Sequence, residues 1–238
     1  MTVTTRGQAA EAIAVPSYLA NVYWWAYVDP RAITFCERNW LVNVILWGNF
    51  GRLRDAALDA LAGAPGEPVA GRTLQVACVY GDLTQRLARR MATDGALEVV
   101  DVLPLQLANL DRKLPSGHDV RLTHADSTML AYAGASFDRA LLFFLLHEQP
   151  EAARRATLAE VLRVVRPGGR IVIVDYHRPR PLNPLYWPMV GILRTLEPVA
   201  LDLWHNEIEA WLPAQCKVAA FERRLLFGGL YQLVTLTV

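Results

Sequence analysis

From residue 74 onward, short apolar runs alternate with segments of helical spacing. Residues 74–79, 97–101, 120–123, 140–146 and 170–175 form the apolar runs, and the fourth contains no polar residue, as expected of a strand buried on both faces. Between them, residues 83–91, 104–113 and 151–165 carry helical periodicity. Pro104 suits a first helical turn, and Pro167-Gly168-Gly169 is expected to stop the third helix. Strands alternating with helices predict an α/β fold with a doubly wound, mostly parallel sheet. Segments 218–227 and 230–238 flank Gly228-Gly229 and predict an antiparallel hairpin, which completes a seven-stranded sheet.

The N-terminal part reads differently. Residues 1–14 show no periodicity, and residues 17–62 predict two or three helices with a turn at Asp29-Pro30 and a break around Gly48 and Gly51. Residues 63–68, GAPGEP, are rich in turn formers and mark a boundary. The expected division is a helical cap or lid with its linker over 1–68 and a Rossmann-like domain over 69–238. Within the latter, Pro179, Pro181, Pro184, Pro188 and Pro198 forbid one long helix, so residues 179–212 are expected to form a shaped flap.

Composition narrows the function classes. A formal net charge of +1 gives no footprint for nucleic acid. Cys36, Cys78 and Cys216 are widely spaced, which argues against a disulfide framework or structural zinc and fits a reducing compartment. No secretory leader is expected, and no run reaches the about 20 apolar residues that span a bilayer. Yet 53% of the residues are hydrophobic, and Trp24, Trp25, Trp40 and Trp47 crowd the cap. They fit either packing on the core, a lid over an apolar substrate, or a patch at a membrane surface.

The turn after the first strand is the most informative segment. A nucleoside-binding turn there follows the pattern D-x-G-x-G-x-G. Here Gln75 stands at the acid position, Ala77 and Val79 at the first two glycine positions, and only Gly81 remains. Asp101 ends the second strand, where an acceptor-only carboxylate can take both hydroxyls of a ribose. Asp126 and Ser127 follow the third strand, and they suit either an adenine amino group or a helix N-cap.

These segments, with HADSTMLAYAGASFD at 124–138, LLFFLLHE at 141–148 and LRVVRPGGRIVIVDY at 162–176, resemble class I S-adenosylmethionine-dependent methyltransferases over roughly residues 70–238. The degenerate VACVYG turn, VDYHRPRPLNPLYWP at 174–188, LEPVALDLW at 196–204 and FGGLYQLV at 227–234 resemble more closely the RquA-type rhodoquinone-biosynthesis family, over nearly the whole chain. That resemblance implies conversion of ubiquinone to rhodoquinone, a ring methoxy group being replaced by an amino group. S-adenosylmethionine would be the amino donor and divalent manganese would be required. It implies a cytoplasmic protein held peripherally at the inner membrane, where ubiquinone resides, with a homodimer open. The alternatives are a conventional S-adenosylmethionine-dependent quinone methyltransferase and an inactive methyltransferase-fold scaffold of a quinone-biosynthetic complex.

The resemblance distributes roles along the strand ends. Gln75, Ala77, Val79, Tyr80, Gly81, Asp101, Val102, Asp126 and Ser127 would surround the cofactor. His147, Glu148 and Tyr176 would act on the quinone, and His147, Asp175 and His177 would hold the metal, since Asp175 and His177 share one side of an extended strand. His205 with Glu207 and Glu209 is a second metal candidate. An amine that attacks carbon must be neutral, so the missing carboxylate at Gln75 fits amino transfer.

Overall fold

A computed structural model of the chain describes residues 15–22, 37–214 and 218–238. The segment 1–14, the turn at Asp29-Pro30, Trp24, Trp25, Cys36 and Cys216 lie outside the described residues.

Helices α1 (Ser17–Val22), α2 (Asn39–Ile45) and α3 (Phe50–Ala62) precede the sheet. Then follow β1 (Arg72–Val76), α4 (Leu83–Arg90), β2 (Ala96–Asp101), α5 (Pro104–Lys113), β3 (Arg121–His124), β4 (Phe137–Phe143), α6 (Glu151–Val164) and β5 (Val165–Tyr176). The chain ends with α7 (Tyr186–Leu196), α8 (Asp202–His205), β6 (Ala220–Leu226) and β7 (Tyr231–Thr237). The strands form one seven-stranded sheet in the order β3-β2-β1-β4-β5-β7-β6. Strands β1 to β5 are parallel, and β7 runs antiparallel between β5 and β6. The doubly wound fold and its terminal hairpin thus follow the apolar pattern.

Several boundaries depart from it, the first strand among them, which runs over Arg72–Val76 and not 74–79. The helix expected over 151–165 ends at Val164, because Pro167-Gly168-Gly169 belongs to β5 and does not stop the helix. Gly168 N–H donates to Val238 O at 2.6 Å and Val238 N–H to Gly169 O at 3.0 Å, so a bulged strand satisfies the backbone there. The fourth strand ends at Phe143, since Phe144 has φ +53° and leaves the extended region; Leu145 and Leu146 stay apolar because they are buried in the loop. The break in the cap falls at Gly48 (φ +76°), whereas Gly51 lies inside α3.

Strand order reverses between β1 and β4, and ligands of open α/β sheets bind beyond the carboxyl ends at such a point. The flap is fastened beside it. Arg154, wholly buried on α6, donates through Nε to Leu146 O at 3.0 Å and through Nη2 to Gln149 O at 2.8 Å. Its guanidinium lies 4.2 Å from the Trp211 ring centroid, so one side chain links the 146–149 loop to the flap.

Candidate functional site

The turn after β1 keeps the shape of a glycine turn without its first two glycines. Ala77 adopts φ +72° and Gly81 φ +85°. A left-handed alanine costs roughly 1–2 kcal/mol, so the surroundings impose this conformation. Asp101 does part of that. Its Oδ2 accepts from Cys78 N–H at 2.7 Å and its Oδ1 from Leu103 N–H at 2.8 Å, which ties the turn to the end of β2. Burial pushes the Asp101 carboxyl above the ordinary range, against the lowering effect of those two amides. The Cys78 thiol is a third donor to the carboxylate, which still leaves it a lone-pair site for a further donor. Burial, then Asp101, push the Cys78 thiol well above its usual value, so it stays a protonated thiol.

A pocket opens above this turn. Of the residues expected around a cofactor, Ala77, Asp101, Val102, Asp126 and Ser127 line it, and Glu148 joins them from the loop after β4. Asp126 caps no helix: its Oδ1 accepts from Thr128 N–H at 2.8 Å and Thr128 Oγ1–H at 2.7 Å, closing a turn. Ser127 Oγ shares a network with Thr157 and Gln149.

Gln75, Val79, Tyr80 and Gly81 are not among the residues lining that pocket. Gln75 is fully buried beneath the turn, with Nε2 donating to Ala77 O at 3.0 Å and Oε1 accepting from Thr84 Oγ1–H at 3.0 Å. Gly81 serves packing: a Cβ there would meet the Phe50 ring at 2.7 Å, and its N–H donates to Glu37 at 3.3 Å. Lys113 Nζ donates to Glu37 Oε2 at 2.6 Å and to Gly81 O at 3.0 Å, with a longer contact to Val79 O at 3.4 Å. Tyr80 Oη accepts from Gln106 Nε2 at 2.9 Å. A carboxylate from the cap and an ammonium from α5 therefore hold the second half of the turn.

The other cluster lies behind Glu148. His147 is buried, its Nδ1 3.0 Å from Asp175 Oδ1 and its Nε2 3.8 Å from Glu148 Oε1 and 3.7 Å from Glu197 Oε2. Burial pulls the His147 pKa down, but Asp175, Glu197 and Glu148 outweigh it and raise it to about 9. The surrounding carboxylates thus favour the protonated ring. Glu197, on the flap, is itself pushed up by burial against the pull of His147. The buried Tyr176 ring stands edge-on to His147 at 5.0 Å, and burial, then Glu197, push its phenol well above its usual range.

The metal set His147, Asp175 and His177 does not assemble. Asp175 spends its oxygens on His147 Nδ1, Tyr176 N–H, Leu146 N–H and His147 N–H. His177 turns to the β7 side, its Nδ1 3.0 Å from Gly229 O. In the second candidate set, Glu207 pairs with Arg223 at 2.8 Å and Glu209 pairs with the same guanidinium. Among the described residues no group of three or more His, Cys, Asp and Glu is placed to hold a metal ion.

Glu197, Gln149, Tyr18, Glu37 and Lys113 were not singled out by sequence. Glu197 carried one usable signal, an acid preceding Pro198 in the otherwise largely apolar LEPVALDLW stretch, which also holds Asp202. Glu37 and Lys113 meet only through the fold.

A family profile described as a methyltransferase domain matches residues 73–169. A demethylmenaquinone methyltransferase from Beutenbergia cavernae is 34% identical over 193 residues, covering 76% of this chain and 74% of the relative. One from Clavibacter sepedonicus is 33% identical over 227 residues, covering 87% of each. In structure, the 1,6-didemethyltoxoflavin-N1-methyltransferase of Burkholderia thailandensis, solved with S-adenosylhomocysteine, superposes with a TM-score of 0.53 at 20% identity, covering 94% of this chain and 90% of that one.

Proposed function

The chain belongs to the class I S-adenosylmethionine-dependent methyltransferase superfamily, and we propose that it transfers a group from S-adenosylmethionine to the ring of an isoprenoid quinone. The observation that carries this reading is the pocket over the Ala77 turn with Asp101 at its floor, in a chain whose quinone-methylating relatives match most of its length. S-adenosylmethionine, when bound, supplies the transferable group. Asp101 offers its spare lone pair to the ribose, and the left-handed Ala77 backbone keeps the turn open beside it. Glu148 faces the pocket, where its carboxylate can accept the proton that a quinol ring loses on methylation, while His147, held by Asp175, stands behind it.

The relatives favour methyl transfer. Gln75 favours a second reading, amino transfer with loss of methoxide. A methyl donor's amine is kept inert as an ammonium by a nearby carboxylate, and the acid position of this turn holds a neutral amide. Under that reading Gln75→Glu shifts the pH profile of amination to higher pH, and an unchanged profile removes the support Gln75 gives. No manganese-dependent step is included, because the residues expected to bind the metal are otherwise engaged.

The mass of the product decides between the two. Purified protein incubated with S-adenosylmethionine and a short-tail ubiquinone or demethylated quinol should yield either a product heavier by one methylene or one in which amino replaces methoxy. Unchanged quinone throughout would refute the transferase reading. Contact with the bilayer is part of the same proposal. No described helix is long and apolar enough to cross a membrane. Trp40, Val44 and Ile45 on α2 and Trp187 on α7 are exposed, and Trp47 Nε1 lies 3.1 Å from Met189 Sδ, which makes the two helices neighbours. Tryptophans among aliphatic side chains suit the headgroup level.

A further inference from the structure

The first helix lies against the pocket. Tyr18 and Leu19 of α1 line the same cavity as Asp101 and Asp126. Leu19 packs with Leu103 in a small apolar cluster of their own, separate from the main core. The apolar burial of α1 is thus made at the rim of the pocket. Tyr18 is within hydrogen-bond reach of Gln149, whose Nε2 is held by Ser127 at 3.1 Å and Thr157 at 3.0 Å. That fixed amide holds Gln149 beside Tyr18 in the pocket wall.

We propose that Tyr18 is a cofactor-contacting residue which, with Gln149, closes the pocket over S-adenosylmethionine. This rests on the S-adenosylmethionine reading above. Charge agrees with the assignment. Asp101, Asp126 and Glu148 surround the Tyr18 phenol, and burial, reinforced by these carboxylates, raises it to about 12 despite the opposing bond from Gln149. The phenol stays neutral, and the enclosure it completes is acidic. A sulfonium cation suits such a wall, and the face of an aromatic ring attracts a desolvated cation. The neutral product, S-adenosylhomocysteine, gains less from both. Tyr18 therefore contributes to the preference for substrate over product.

Calorimetric titration of the full chain with S-adenosylmethionine and with S-adenosylhomocysteine tests this. Tyr18→Ala should weaken S-adenosylmethionine binding by about tenfold and the product by less, whereas Tyr18→Phe, which keeps the ring, should stay within about threefold of wild type. The thermal midpoint should be unchanged, since Tyr18 packs outside the main core. Wild-type affinity in Tyr18→Ala, or an equal loss for both ligands, overturns the proposal. A wild-type protein that binds neither ligand refutes the cofactor reading itself, and the Tyr18 assignment with it.

Discussion

Asp175→Asn should destabilise the protein by about 3 kcal/mol, a fall in Tm of roughly 6–12 °C for a chain of this size. Asp175 is fully buried and receives donors from four positions, Leu146 N–H, His147 N–H, Tyr176 N–H and the His147 ring. An asparagine of the same shape replaces one acceptor by an NH2 group that must face a donor. It also leaves the buried His147 ring without its nearest counter-charge. The pH dependence follows from the His147 pKa, about 9 in the fold against an ordinary 6.5. A raised pKa means that the folded protein holds the proton more tightly. The stabilisation is complete below pH 6.5 and is lost as pH rises through about 9. Melting curves of both proteins should therefore differ most near pH 6 and converge toward high pH. In the variant, burial acts with less opposition, and the His147 ring resonances should titrate well below those of wild type. A constant gap in Tm across that range would show that Asp175 acts through its amide contacts alone.

What the sequence made legible was what a local pattern can carry. Parallel strands showed as apolar runs because both faces of β1, β4 and β5 are covered. Asp101 was legible because an acid ending a buried strand must face the ligand end of the sheet. The turn itself was half legible. Loss of glycine at Ala77 and Val79 was plain, but an alanine gives no sign that it sits at φ +72°. Nor could a local pattern show that Gly81 is kept for the Phe50 ring, or that Glu37 and Lys113, 76 residues apart, clamp the turn together. Strand alternation placed Asp175 and His177 on one side, yet β5 ends at Tyr176 and His177 turns to the Gly229 carbonyl. Periodicity ends where the ladder ends. Glu197 reaches His147 only because the flap folds back over the 146–149 loop, a placement set by Arg154 and Trp211 and not by spacing.

The largest effect on ligand binding is expected from Asp101→Asn, which should weaken S-adenosylmethionine by about a hundredfold in calorimetric titration. The carboxylate has two tasks, and the amide fails at both. One oxygen accepts from Cys78 N–H and the other from Leu103 N–H, the Cys78 thiol adds a third bond, and the carboxylate keeps a lone pair for a ribose hydroxyl. An asparagine retains one oxygen and turns an NH2 group toward the other amide, donor against donor. Cys78 or Leu103 then loses its partner in a site where Asp101 is only 8% exposed. Losing one charge-assisted bond to the ligand costs about 1.5–3 kcal/mol, and loosening the turn adds to it. The turn can be separated from the ligand contact. If Asp101 acted only by fixing the Ala77 backbone, Ala77→Gly, which relaxes the left-handed strain, should recover part of the lost affinity in the double variant. If the ribose hydroxyls are held directly, that rescue should fail, and 2′-deoxy and 3′-deoxy analogues of the cofactor should bind wild type more weakly while discriminating little in Asp101→Asn. Wild-type affinity in Asp101→Asn would move the nucleoside away from β2 altogether.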